Sequence, residues 1–472
     1  MTNSTIPIRG AVVVGLLAIA PALLLAQAQA PTGFAKRFEE IKTAATKEEM
    51  YRLLWALPKG GDIHNHHEYS VPMADWLALG SKKPYYYTRV RLSDCGPADA
   101  YRLQYVVIRE SSFRELPPCV QQDYKRLAGL TPAEREAWIS ALQLDHPGEG
   151  RDEFFERAVS RIGALEQDAE LMPELLVHQL RQSAAENVRY IETQAYPPHF
   201  VDGGGSVLTP TEAADRYRRR LAAPDALATG VAVRLQAATV RFTDDAPQRI
   251  ARAYELAYRN RDLWVGVNIV GREDYPNSRA ARFVELFRDL RRRYPDVHLS
   301  LHGGESDQPG REVRETLFLG AERIGHGTNL LSDPETTLFL RGNRYLIEVS
   351  LVSSQLLEYV PDLGRHPFPE FLRLGIPVCL NTDDRGVFDS NMTDEYFLAV
   401  TLYNLSWDEV VRIGRYSLEF SFAEPALKQK LLASYDADVA AFVQKHDRED
   451  WRGSLKSVHA APSGYASRRL GL

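Results

Sequence analysis

Gly61-Asp62-Ile63-His64-Asn65-His66 ends a short strand-like run with two histidines spaced two residues apart. In an extended strand alternate side chains share a face, so His64 and His66 point to the same side and His67 to the other. Three later runs follow the same plan: His298-Leu299-Ser300-Leu301-His302-Gly303-Gly304-Glu305, Arg323-Ile324-Gly325-His326-Gly327 and Pro377-Val378-Cys379-Leu380-Asn381-Thr382-Asp383-Asp384. Each places imidazole or carboxylate at the far end of an apolar segment, always in the same direction. Residues this distant in sequence meet when each ends a parallel strand of one barrel, where active sites gather at the carboxyl-terminal rim. The pattern reads as an enzyme.

Working outward, eight strand-like segments can be placed at about 61–66, 188–194, 231–239, 264–270, 297–302, 323–326, 345–350 and 377–381. Most are flanked by stretches of helical periodicity, such as 246–260, 279–293 and 311–320. Strand alternating with helix implies parallel strands, and eight such units fit a closed (β/α)8 TIM-type barrel of α/β class better than an open sheet. An open doubly wound sheet would carry its Gly-rich loop after the first strand, whereas Pro58-Lys59-Gly60-Gly61 precedes it. The connection after the first segment is far longer than one helix needs. Its portion at about 85–130 contains Cys95, Cys119 and Pro117-Pro118 and reads as a loop-rich insertion. The expected organisation is a signal peptide at 1–28, an N-terminal helical segment at 29–56, the hydrolase barrel at 57–440 and a C-terminal tail at 441–472. The helical extension from about Asp394 onward is expected to pack beneath and around the barrel.

Arg9 followed by the uncharged apolar run 11–26 and Ala26-Gln27-Ala28 fits an export signal cleaved after Ala28. The run is short for a spanning helix of about 20 residues, and no later stretch is apolar enough to cross a membrane. The mature protein is therefore expected to be exported, periplasmic or extracellular, with no stable membrane insertion. A net charge of −6 and the lack of any basic stripe with interleaved aromatics argue against a nucleic-acid partner. Of three cysteines, Cys379 sits in an apolar run and reads as core. Cys95 and Cys119 share one irregular stretch, and export permits a disulfide between them, the alternative being two unrelated thiols. Such a bridge would constrain the unfolded chain by roughly 3 kcal/mol in the entropy model.

Three histidines and one aspartate from these runs could hold one metal ion, leaving a carboxylate and an imidazole nearby to move protons. Buried acids are costly unless paired or metal-bound, so Asp383-Asp384 at a strand end calls for a cation. Imidazole and carboxylate ligands without a thiolate motif point to zinc with an open position for water, whose pKa it would lower to about 7. One zinc per chain fits better than two, since the segments at 264–270 and 323–326 offer only Asn268 and His326 as further ligands. The His-x-Glu…Pro-Cys-x-x-Cys signature of cytidine deaminases and the His-Glu-x-x-His helix of zinc proteases are both missing.

These motifs, in this order, resemble the adenosine deaminase family, most nearly its secreted branch, the adenosine deaminase-related growth factors. Val267-Asn268-Ile269-Val270-Gly271-Arg272-Glu273-Asp274, Ile347-Glu348-Val349-Ser350 and Asp362-Leu363-Gly364-Arg365-His366-Pro367 extend the likeness, which covers about 57–437. The resemblance implies zinc on His64, His66, His302 and Asp383. It implies Glu305 as the acid that protonates purine N1, His326 as the residue that orients and deprotonates the attacking water, Asp384 facing N7 and the Gly271 N–H facing N3. Attack at C6 builds electron density on N1, so Glu305 must carry a proton, which burial favours.

The sequence also departs from the family. Glu68 stands where the main branch has Asp, and His67 where the secreted branch has Asp, both on the sugar side of the substrate. Asn268 replaces an Asp, and Arg385 follows Asp383-Asp384 in place of Pro. No metal ligand or proton carrier is lost. The expected activity is hydrolytic deamination of adenosine or a related 6-aminopurine nucleoside, such as 2'-deoxyadenosine, releasing ammonia. The alternatives are the same chemistry on another aminopurine or modified nucleoside, or an exported nucleoside-binding protein without catalysis. The resemblance leaves room for a homodimer, although 34–55 is shorter than the dimerising helices of the secreted branch.

Overall fold

A computed structural model describes residues 33–95, 102–195 and 199–472; the targeting segment expected at 1–28 lies outside them. Eleven strands occur among the described residues: β1 (Gly60–His66), β2 (Tyr86–Arg89), β3 (Val107–Arg109), β4 (Tyr124–Arg126), β5 (Val188–Gln194), β6 (Ala232–Val240), β7 (Trp264–Val270), β8 (His298–Gly303), β9 (Arg323–His326), β10 (Leu346–Val349) and β11 (Val378–Leu380). Eight of them form one parallel sheet in the order β1-β5-β6-β7-β8-β9-β10-β11. A parallel bridge between Asn65 and Asp383 joins its two ends into a ring. The His66 amide donates to the Asp383 carbonyl at 3.3 Å, and the Asp383 amide to the His64 carbonyl at 3.0 Å. This is the (β/α)8 barrel that the eight strand-like segments imply.

The strand positions expected from periodicity agree closely. Val188–Gln194, Trp264–Val270 and Arg323–His326 match the expected spans, and the other five differ by one residue at one or both ends. The helix at Ala246–Arg259 shows why the alternation holds. Ile250, Ala253, Tyr254 and Ala257 recur at helical spacing and are buried on one face against β6 and β7, while Arg249, Arg252 and Glu255 stay nearer solvent. Burying one such large side chain contributes about 1.5–3 kcal/mol, so each βα unit is held to the ring by a few residues.

The insertion differs from expectation. It contains a three-stranded antiparallel sheet in the order β3-β2-β4 rather than loops alone. Strands of three or four residues are too short to show alternation in the sequence. Cys95 and Cys119 pair across this subdomain with Cα atoms 5.8 Å apart, and Cys379 is buried beneath the ring. The oxidised protein is therefore expected to titrate one thiol, and only after denaturation. Three titratable thiols under non-reducing conditions would mean that the pair does not form.

The C-terminal helices close the amino-terminal end of the ring. In the helix Trp407–Glu419, Ser417 Oγ accepts from the Gly61 amide at 2.7 Å. Gly60 has φ +70°, and a Cβ there would stand 2.1 Å from the Gly414 carbonyl oxygen, so the approach requires glycine. The expected boundary at 440/441 falls inside the helix Pro425–His446, so the tail is continuous with the body. The N-terminal helices Gly33–Ala44 and Lys47–Ala56 are separated by Thr46, which forms a capping box with Glu49. Phe34 packs edge-on against Trp407, which in turn stacks on Phe442. No helix among the described residues is long and apolar enough to cross a membrane.

Candidate metal centre and active site

The ring delivers the sequence motifs to one rim. His64 and His66 lie at the end of β1, His302 near the end of β8 and His326 at the end of β9, with Asp383 and Asp384 just past β11. Ring centroids of His64 lie 4.5 Å from His302 and 4.7 Å from His326, and His66 lies 5.3 Å from His302. Asp383 Oδ1 is 3.2 Å from His66 Nε2 and 3.6 Å from His64 Nε2. Two overlapping groups can gather their ligand atoms within 4.8 Å: His64, His302, His326 and Asp383, and His66, Asp383 and Asp384. All four expected ligands are thus brought together around Asp383, with His326 closer in than its motif alone indicates.

Backbone geometry supports the cluster. His326 (φ +65°) and Asp383 (φ +52°) both adopt the left-handed conformation, which costs a non-glycine residue about 1–3 kcal/mol and tends to persist at functional sites. Gly325 lies under His64, where a Cβ would stand 2.6 Å from the imidazole Cε1.

The donor set fits a cation. His64 Nε2, both ring nitrogens of His326, Asp383 Oδ1 and Asp384 Oδ1 are buried without a hydrogen-bond partner among the described residues. Buried polar atoms are nearly always satisfied, so this concentration of orphans at one point marks a place for an ion and for water. Burial, followed by the neighbouring imidazoles His64 and His326, holds His302 well below the usual histidine range. Burial also pushes His326 down to about 3. Neutral imidazoles are the form that ligates metals. At Asp383 burial works upward, but His66 and the other imidazoles outweigh it and hold the carboxylate below its usual range.

Two of the histidines, His64 and His302, are aimed by partners the sequence reading left unassigned. His64 Nδ1 lies 2.7 Å from Glu348 Oε2, which leaves Nε2 facing the cluster. Glu348 also accepts from Ser300 Oγ at 2.8 Å and pairs with Arg323 at 2.6 Å. Arg323 in turn donates to Glu192 at 2.7 Å, giving a fully buried chain of charge under the site. His302 Nδ1 donates to Asn268 Oδ1 at 2.9 Å, so the Asn found in place of an acid still orients this ring. The signal for Glu348 was present in the sequence: it is an acid inside the otherwise apolar strand Leu346–Val349, and such an acid requires a buried partner.

Glu305 follows the Gly303-Gly304 turn into the mouth of the barrel. Its amide and that of Gly304 donate to the Glu273 carboxylate at 3.2 and 3.1 Å, which fixes the turn. Burial, then Asp383 and Glu273, raise the Glu305 carboxyl well above its usual range, and its Oε1 stands 3.7 Å from His326 Nε2. Burial, then Asp383, likewise raises Asp384. The site thus sets carboxyls shifted upward, Glu305 and Asp384, beside imidazoles shifted downward, His302 and His326, a division that favours acid and base acting together.

These groups open into a pocket at the rim of the barrel. Tyr69, Phe154, Phe155 and Phe242 supply its apolar walls, and Gly271 (φ +90°), Glu305 and Asp384 its polar points. Glu68 lines an adjoining recess. His67, expected at the sugar side, is instead fully buried, with Nε2 2.9 Å from the Met172 carbonyl and its ring against Tyr217. The strand ends at His66, the chain turns into His67–Ser70, and His67 is carried into the core, away from the pocket.

An eight-stranded parallel barrel with histidines and carboxylates gathered at its carboxyl-terminal rim defines a metal-dependent hydrolase. The family model for adenosine deaminase matches residues 125–437, more than half of the sequence, and the chain belongs to that family. It is a hydrolytic deaminase of the nucleoside and nucleotide class. Adenosine deaminase of Enterococcus faecalis is 29% identical over 279 residues, 57% of this chain and 77% of that protein. Among solved structures, a Burkholderia ambifaria amidohydrolase with bound Zn shares the fold at a TM-score of 0.61 and 19% identity, covering 85% of this chain and 94% of that one. An Arabidopsis N6-mAMP deaminase does so at 0.60 and 21%, covering 81% and 99%.

Proposed function

We propose that this enzyme removes the 6-amino group of adenosine or a related 6-aminopurine nucleoside, with zinc held by His64, His66, His302 and Asp383. The observation that carries the reading is the pairing of an apolar slot with the protonated Glu305 carboxyl on one side and the orphaned imidazole and carboxylate atoms on the other. Bound zinc supplies Lewis acidity, which brings the ionisation of water down to near neutral pH. The remaining work falls to the chain's own side chains. His326 orients the water over C6 and takes its proton. Glu305 gives its proton to N1 as the ring gains electron density, which keeps charge from accumulating on the purine. Asp384, kept protonated by burial, donates to N7, and the Gly271 amide faces N3. Water adds at C6, the C6–N bond breaks and ammonia leaves, so the product is the 6-oxo purine.

The test is loss of the adenine chromophore on incubation with adenosine, abolished by a chelator and restored by zinc, together with metal analysis. One equivalent of zinc per chain is expected. Two equivalents, both required for turnover, would overturn the mononuclear reading, and no turnover of any 6-aminopurine by zinc-loaded protein would overturn the activity.

A further inference from the structure

We propose that the buried ion pair between Glu186 and Arg385 holds Asp384 in place over the purine, at the position where the family carries proline; this rests on the 6-aminopurine reading above. Glu186 and Arg385 are then positioning residues, acting through Asp384 without touching the substrate.

Asp384 lines the purine pocket, whereas Arg385, the next residue, lines a separate cavity together with Glu186 and Ser390. Arg385 opens the four-residue helix Arg385–Phe388, and the Asp384 carbonyl accepts from the Val387 and Phe388 amides at 2.9 and 3.0 Å. The first turn of a helix is the costly one to form, so a single turn takes its seat from what it is tied to. Proline at the first helical position would fix φ there. Arg385 leaves φ free and supplies a tether instead. Its Nη2 donates to Glu186 Oε1 at 2.5 Å, and the two side chains are 8% and 1% exposed. Burial opposes the charge on Arg385, and Glu186 outweighs it.

Glu186 is itself well anchored. It closes the helix Leu171–Ala185, its carbonyl accepts from Lys59 Nζ at 2.8 Å, and its Oε2 accepts from the Thr393 amide at 2.9 Å. The carboxylate thus ties the Asp384 turn to the end of one helix and to the start of another, Met392–Tyr403. On its other side the turn has little slack, since a Cβ on Gly386 would stand 2.1 Å from the Val71 carbonyl oxygen. Asp383 is held separately, by its backbone bonds to β1 and by Ser70 Oγ, which donates to its carbonyl at 2.9 Å. Loosening Arg385 should therefore disturb the contact to N7 and spare the ion site.

The experiment is a double-mutant cycle on the affinity of zinc-loaded protein for purine riboside, which keeps N7 and has no 6-amino group to lose, measured by calorimetry. Arg385→Met is expected to weaken binding by about tenfold, the worth of one hydrogen bond. Glu186→Gln combined with Arg385→Met should do the same without leaving a buried charge unpaired. In the Asp384→Ala background, Arg385→Met should cost less than about a further twofold, because the group it positions is gone. Arg385→Lys should recover most of the affinity, since it keeps a charged donor for a tether made by a single N–H contact. Zinc content should match wild type in the variants that keep Asp384, and thermal melting establishes that each is folded. Equal loss with and without the Asp384 carboxyl, loss of zinc with the pair, or wild-type affinity in the neutral double variant would overturn the positioning role while leaving deamination standing. A wild type that neither binds purine riboside nor turns over any 6-aminopurine would overturn both.

Discussion

Glu305→Gln is expected to lower kcat by at least about 10²-fold, the usual contribution of a general acid, while zinc content stays near wild type. Glutamine keeps the shape and can still hydrogen-bond to N1, but it has no proton to transfer. The wild-type carboxyl holds that proton because burial, Asp383 and Glu273 all oppose its ionisation. The loss should fall on kcat and little on KM, because protonation of N1 matters most as charge develops in the transition state. His302→Gln should behave differently, losing zinc and activity together, since His302 presents a neutral nitrogen to the cluster and is aimed there by Asn268. Steady-state kinetics beside metal analysis of both variants makes the comparison. Near-normal turnover by Glu305→Gln, or loss of its zinc, would require another acid, and Asp384 would be the one to examine.

Glu348→Gln is the second large effect, and it acts on the metal through His64. Burial tends to raise the Glu348 carboxyl, but Arg323 and His64 overcome it and hold the group below its usual range. At His64 burial works the other way and Glu348 reverses it, so each group stabilises the charge of its partner. An amide at position 348 would set an N–H against either the His64 N–H or the Arg323 guanidinium, and it would leave Arg323 with Glu192 as its remaining buried anion. Removing one partner of a buried ion pair costs about 3–5 kcal/mol, and losing the residue that orients a metal-binding histidine costs about 10–100-fold in metal affinity. Chelator competition should show that drop in zinc affinity, and melting of the zinc-free protein should show the loss of stability. Wild-type affinity in this variant would mean that Glu348 does not position His64.

The barrel and its rim were legible because apolar strands ending in imidazole or carboxylate are rare enough to declare both the strand and its direction. His64, His66, His302, Asp383 and Asp384 stand at that rim, with His326 closer to the ligand group than its motif alone indicates. The chain of charge beneath them was half-legible: Glu348 stands out within its strand, but its link to Glu192 through Arg323 exists only once β5, β9 and β10 are ordered around a ring. His67 shows the limit of carrying over a role by position. Strand alternation correctly sends it away from the metal, and the helical turn that follows then buries it against Met172. The β2–β4 sheet was illegible for the reason that its strands are so short.

The joint between β1 and β11 carries a consequence for the order of events in folding. The two backbone hydrogen bonds that complete the ring belong to His64, His66 and Asp383, so the last contact of the circle is made by the residues that would grip the ion. Nearly the whole barrel separates them along the chain, which makes this the most non-local strand pairing among the described residues and a slow kind to form. Until that contact forms, β1 and β11 are unpaired edges and the candidate ligands of β1 and Asp383 are apart. Closing the ring and assembling the ion site are therefore one step, and an ion bound there is expected to favour the closed ring over a sheet with edges exposed to other chains.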